Sequence, residues 1–353
     1  NGGRMAAINT QLNLSGTLDN LGFLTARQQL DIAAAQINNR GTLGALGPVN
    51  LTATQGITNG ADTLLFSGGD LTLRGNSFSN AYGDVYTQGN LMFAAQDGGQ
   101  AAVFSNLSGT VEAEGAIGIN AAFVENAKAE FELVKTVTAG TVEWRCGQHC
   151  GGHDWFKRGQ VNINQTFLES AIKDSAPARL LAGKDLLIQG DNVQNRYSLL
   201  AANGNLAIVA TNLLNQGAGT RTGQNSIVIG TPGKIATTEW DQMEYEDIPA
   251  FNALGAFDAA KFAALKARSS DSRFQEQSNV TAWTVNDGLA YSATLQAGGT
   301  VDLSKVANKV QNGTLLENQK EQLTGSLDND QTGIPVGGID INLNKHADDT
   351  GAA

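Results

Sequence analysis

Along most of the chain, apolar and polar residues alternate in short runs that stop at glycine or asparagine. One phrase reads Gly69-Asp70-Leu71-Thr72-Leu73-Arg74-Gly75 before Phe78-Ser79-Asn80. It returns as Gly89-Asn90-Leu91-Met92-Phe93, as Gly115-Ala116-Ile117-Gly118-Ile119 before Val124-Glu125-Asn126, and as Gly204-Asn205-Leu206-Ala207-Ile208 before Leu213-Leu214-Asn215. A period of two is the signature of a strand with one buried face, and runs this short do not make helices.

The spacing between copies is regular. Leu51, Leu71 and Leu91 lie 20 residues apart, as do Asn106 and Asn126, Leu186 and Leu206, and Asn195 and Asn215. A unit of this length cannot bury its apolar face alone, whereas stacked units share one core in which like residues form ladders. The predicted fold class is all-β: a right-handed parallel β-helix, a solenoid of about 20-residue turns, with loop and short helical insertions. The repeated asparagines are assigned to corners, bonding their own backbone and tolerating a left-handed conformation there, and the glycines to corners that a Cβ would block.

Where the rhythm fails, insertions are predicted. The segments are β-helix over 1–127, an insertion with a cysteine-containing loop over 128–182, β-helix turns over 183–230, and a second insertion over 231–296. Final turns over 297–343 and a linker over 344–353 complete the chain. In a solenoid such interruptions project as loops and commonly carry binding, because the stacked core cannot vary freely.

Composition narrows the picture. Glycine is abundant at 42 and proline scarce at 5, and 41% hydrophobic content is too high for a disordered chain. A net charge of −11 with no basic cluster argues against nucleic acid as partner, and no apolar run is long enough to span a bilayer as a helix. No residue pattern asks for a cofactor.

The first insertion concentrates the chain's chemistry in Trp144-Arg145-Cys146-Gly147-Gln148-His149-Cys150-Gly151-Gly152-His153-Asp154-Trp155. Three states are open for the thiols. Cys146 and Cys150 form a disulfide pinning a glycine-rich loop; or Cys146, His149, Cys150 and His153 hold a zinc ion, with ligands crowded for a finger; or the thiols are free. Export to an oxidising medium favours the disulfide.

The second insertion opens with Glu239-Trp240-Asp241-Gln242-Met243-Glu244-Tyr245-Glu246-Asp247 and continues into an alanine-rich stretch, 253–268, predicted helical with Asp258 as its cap. This helix is expected either to cover the solenoid flank or to present a recognition surface. Aromatic anchors dominate interfaces, so Trp144, His149, His153, Trp155, Trp240, Met243 and Tyr245 are the candidate recognition residues.

Catalysis is not expected. The outward residues of the clear repeats, among them Asp70, Thr72, Arg74, Asn90, Met92, Lys184, Asn205 and Ala207, form a mixed set without the paired carboxylates that glycan-cleaving β-helices present. Phosphate loops and calcium repeats are missing too.

The phrase G-x-L-x-L-x-A followed by hydrophobic-x-Asn resembles the haemagglutinin repeats of filamentous haemagglutinin and of CdiA-type contact-dependent growth inhibition exoproteins. That resemblance implies secretion through an outer-membrane transporter partner of the parent protein, and display as a monomeric filament on a Gram-negative cell surface. The interrupted repeats are similar to the central region of CdiA-type proteins that binds an outer-membrane receptor on a neighbouring bacterium, so a receptor-binding, non-enzymatic adhesive segment is the leading expectation. A host-cell adhesin segment and a purely structural stalk are the alternatives.

Overall fold

A computed structural model describes residues 3–148, 155–231, 235–236, 238, 241–269, 273–286, 291–315 and 323–324. The chain forms two compact units: Asn1–Phe131 with Lys173–Ala218 and Leu289–Ala353, and Glu132–Ile172 with Gly219–Gly288.

The first unit is a parallel β-helix. A turn consists of a short strand such as Thr42–Ala45, a corner, and a longer strand such as Val49–Asn59 that bends midway, where its register with the next turn shifts between Ala53 and Gly56. Each turn therefore presents three faces, and each face pairs in parallel with the turns before and after it. Leu51 pairs with Leu73, and Leu71 pairs with Leu91, which pairs with Ile117. Alternation sends every second side chain inward, so Leu30, Val49, Leu71, Leu91, Ile117, Leu186 and Leu206 form one continuous, fully buried column. Three phenylalanines thicken the middle of this core, with the Phe78 and Phe104 rings stacked at 5.2 Å and Phe93 tilted 6.0 Å from Phe78.

Glycine is required where the short strand ends. A Cβ on Gly47 would lie 1.9 Å from the Gln28 carbonyl oxygen, and one on Gly68 would lie 2.0 Å from that of Leu46. Successive turns approach there with room for a hydrogen only.

The asparagines do more than the sequence pattern predicts. Asn20, Asn39, Asn59, Asn80, Asn106, Asn126, Asn195 and Asn215 point inward, and each donates its side-chain amide to the side-chain carbonyl of the next at 2.6 to 2.9 Å, the series ending on Asn312. The same amides also hold the corner that follows, as Asn80 does to Gly83 O and Asn106 to Gly109 O. The left-handed residue of that corner is not the asparagine itself: Tyr82, Ser108 and Tyr197, two positions after Asn80, Asn106 and Asn195, carry φ of 58°, 51° and 54°. A buried amide must satisfy every donor and acceptor, and a ladder of identical amides does so without water.

Both insertions leave the coil at this same corner. After the Asn126 strand the chain departs near Phe131 and returns for the short strand Arg179–Ala182; after the Asn215 strand it departs near Ala218 and returns for Thr294–Ala297. Two turns, Arg179–Ala182 with Leu186–Arg196 and Leu199–Ala202 with Leu206–Ala218, separate the two exits. The departure points are tied together within the coil. The Phe131 ring packs 4.1 Å from Tyr197 and 4.7 Å from Tyr291, and Lys128 lies over the Phe131 and Tyr291 rings while pairing with Asp174. The Ser108 and Ser175 hydroxyls share a hydrogen bond at 2.7 Å and accept from the Ala129 and Glu130 amides, and Ala218 bonds back to Tyr291.

These bounds differ from the expected ones. Arg179–Ala182 and Thr294–Ala297 are coil strands, not parts of insertions, while Arg221–Gly230 leaves the coil and pairs antiparallel with Phe156–Asp174. Alternation reports one buried face and is blind to which partner covers it. The expected final turn at 339–343 and the linker at 344–353 lie outside the described residues.

The second unit is an antiparallel sheet in the order Phe131–Gln148, Phe156–Asp174, Arg221–Gly230, Gln275–Val285, so the two insertions supply one sheet between them. Its helices lie in the second insertion. Gln242–Asp247 forms a π-helical turn, Ile248–Asn252 a short α-helix, and Ala259–Arg268 a longer one capped by Asp258, whose carboxylate accepts from Lys261 N at 3.0 Å. Phe251, Phe262 and Leu265 bury against Val142, Val161, Ile163, Ile227 and Ile229. The predicted helix therefore starts later than 253, and it covers this sheet rather than the flank of the coil.

Candidate functional site

On the helix-bearing side of the second sheet, cross-strand rows change character step by step. Val161 faces Ile229, and Ile163 faces Ile227: these rows lie under the helices. Gln165, Asn225 and Thr281 form the next row, joined by hydrogen bonds of 2.6 and 2.9 Å through the Asn225 amide. Phe167, Gly223 and Trp283 follow, the two rings meeting at 6.2 Å over the glycine, where a Cβ would lie 2.6 Å from the indole. Glycine between two aromatic neighbours lets both lie down across the sheet.

At the end of this series Arg221 donates through Nε to Glu169 at 2.9 Å and through Nη2 to the other carboxylate oxygen, while its guanidinium stacks 4.0 Å from the Trp283 ring centre. The Glu169 side chain is fully buried and that of Arg221 is 5% exposed. A two-pronged pair with the arginine also on an indole satisfies both desolvated charges. Exposed Lys135 lies 4.9 Å from the Phe167 ring centre. The result is a half-buried aromatic patch of Phe167 and Trp283, with the buried ion pair under it and Lys135 beside it.

The predicted recognition residues fall into separate environments. Trp155 is 85% exposed and Tyr245 66% exposed, so both rings present most of their surface to solvent. Trp144 is half-buried against the helical core, lies on Gly159 and donates its indole N–H to Glu244 at 3.0 Å. Met243 is a correction: at 4% exposure it is part of the core, because the π-helical turn directs it to the sheet and leaves Tyr245 outside. His149, His153 and Trp240 lie outside the described residues. Cys146 is disulfide-bonded, which leaves its sulfur without a thiolate for metal; Cys150, the chain's other cysteine, lies outside the described residues.

Sequence reasoning passed over Phe167, Glu169, Arg221 and Trp283. Each sits in an alternating run, but their meeting depends on strands from different insertions, and no spacing along the chain records it.

On the coil, burial and then a 2.6 Å hydrogen bond to Glu114 push the Tyr86 hydroxyl well above the usual phenol range. Tyr197 and Tyr291 are also raised, each first by burial. These neutral phenols belong to the scaffold and its exit corner. Among the described residues no helix is long and apolar enough to cross a membrane.

Fold and site together define a class: a stacked parallel β-helix whose detours combine into a separately cored sheet module. Two curated relatives are similar to the chain, the tRNA nuclease CdiA of Escherichia coli O6:K15:H31 (strain 536 / UPEC) and that of Escherichia coli strain NC101. Each is 24% identical over 356 residues, covering 86% of this chain and 10% of the relative. The chain spans about a tenth of the length of those relatives, and the likeness supports reading it as a CdiA-like filament region. No protein-family model matches the chain and no solved structure does.

Proposed function

We propose that this chain is a non-enzymatic recognition segment of a CdiA-type contact-dependent growth inhibition filament, carrying haemagglutinin-type repeats. The coil serves as a rigid shaft on a Gram-negative cell surface, and the module of 132–172 and 219–288 contacts an outer-membrane receptor on a neighbouring bacterium. The parent protein reaches the surface through its outer-membrane transporter partner.

One observation carries this reading. Two insertions separated by two intact turns leave the coil at the same corner and build a single sheet with its own core, which a stalk has no need of. The nuclease activity named for the relatives is not assigned to this segment, which spans about a tenth of their length.

The purified chain, fluorescently labelled, is expected to bind target bacteria and to lose that binding when one outer-membrane protein is deleted from them. Binding to mammalian cells alone would move the assignment to a host adhesin. Failure to bind either surface would leave a stalk.

A further inference from the structure

We propose that the patch of Phe167 and Trp283, with Lys135 beside it, is a binding site for a sugar ring that carries a carboxylate or phosphate group. The proposal rests on reading the module as the recognition part of the chain, and it names the chemistry that one part of the module takes.

The aromatic rings select the body of the ligand. Phe167 and Trp283 come from different insertions, and their planes lie within 26° of each other at a centroid distance of 6.2 Å. The indole lies on Gly223, where a Cβ would come within 2.6 Å of it, and on the Arg221 guanidinium at 4.0 Å. The surface it still exposes is therefore turned away from the sheet, and both rings are only half-buried. Rings held in this way offer an apolar surface of fixed orientation, on which the C–H face of a pyranose stacks.

The neighbouring side chains ask for hydroxyls. The adjoining cross-strand row is Gln165, Asn225 and Thr281, two amides and an exposed hydroxyl. Gln165 is 5% exposed and donates through Nε2 to Asn225 at 2.6 Å, yet its enclosed Oε1 has no hydrogen-bond donor among the described residues. A buried acceptor left without a donor is costly and rare in a native fold. A hydroxyl-rich ligand seated on Phe167, two positions along the same face, supplies that donor directly or through one water.

Charge selects the substituent. Arg221 does not serve an anion, because Glu169 already accepts from two of its nitrogens. Lys135 does: it is exposed, with its ammonium 4.9 Å from the Phe167 ring centre and 6.0 Å from that of Trp283, within reach of an acidic group on a ring stacked there. Single-stranded nucleic acid also stacks on aromatic rings, but it needs a cationic groove along its backbone, and a chain of net charge −11 without a basic cluster does not provide one.

An array of immobilised neutral, carboxylated and phosphorylated saccharides, probed with the labelled full chain, is expected to show acidic members bound at least about tenfold better than their neutral parents. Lys135→Gln, at an exposed position, is expected to erase that preference while leaving the neutral signal and the circular dichroism unchanged. Trp283→Ala is expected to remove binding to every saccharide, and excess inorganic phosphate should not displace the bound sugar. No saccharide signal, an acidic preference that survives Lys135→Gln, binding that survives in folded Trp283→Ala, or full displacement by phosphate overturns the proposal. The Lys135→Gln comparison decides even where Trp283→Ala does not fold. The array contains no cell, so its outcome is separate from the outer-membrane protein deletion that tests the recognition reading itself.

Discussion

Asn126 donates its side-chain amide to Asn195 at 2.9 Å, although 69 positions of chain separate them. The bond has the length and partners of those between neighbouring turns, such as Asn106 to Asn126 at 2.9 Å. The ladder therefore runs through the first insertion as if it were not there. An insertion that departs after the asparagine strand and returns before the next short strand leaves both the amide column and the apolar columns unbroken.

Asn126→Ala should test that continuity. It removes the donor to Asn195 and the acceptor for Asn106, leaving buried polar groups unpaired, and a loss of about 2–4 kcal/mol is expected from such defects. Urea unfolding followed by far-ultraviolet circular dichroism reads it. A loss below about 0.5 kcal/mol would mean that water replaces the amide without penalty.

The Glu169 and Arg221 pair should behave as a buried unit. Glu169→Gln or Arg221→Met alone strands a charge and is expected to cost about 3–5 kcal/mol, whereas the double replacement should cost less than the sum of the singles. A double-mutant cycle on thermal or urea unfolding measures the coupling. Additive losses would show that the two side chains act separately.

Tyr86 gives the coil an alkaline limit. Its hydroxyl is raised in the fold by burial and then by Glu114, so the unfolded chain ionises first. The associated stability is complete below the unfolded phenol value of about 10 and falls as pH rises from there toward the raised folded value. Unfolding midpoints measured from pH 8 to pH 11 should decline at the alkaline end, and Tyr86→Phe should flatten that decline. An equal slope in the variant would assign the effect elsewhere.

Surface and core residues of the candidate recognition set should separate cleanly. Trp155→Ala and Tyr245→Ala remove exposed side chains and are expected to weaken binding to target bacteria by about tenfold each with the melting temperature unchanged. Met243→Ala removes a core side chain and should cost about 2–5 kcal/mol of stability. Loss of melting temperature in Tyr245→Ala would place that ring in the scaffold instead.

The coil was legible because its rule is local and repeated. Leu71 and Leu91 share a column since alternation sets the face and a constant repeat sets the register, and both are visible in one dimension. The module was legible only as an interruption. Arg221–Gly230 alternates as well as any coil strand, yet its partners are Phe156–Asp174 and Gln275–Val285, strands that only three-dimensional pairing identifies. Met243 and Tyr245 carry equal promise as aromatic or soft anchors in sequence, and the turn of one π-helix sends the first inside and the second out.

By itself the sequence determined the stacked coil, its apolar columns, the recurrence of its asparagines and the places where the pattern stops. The tertiary structure decided that two separate insertions make one sheet and that their aromatic and charged residues meet across Gly223. The physical reason is range: periodicity encodes contacts between neighbouring turns, whereas pairing between strands from different insertions is chosen by the fit of whole faces, which no local pattern records.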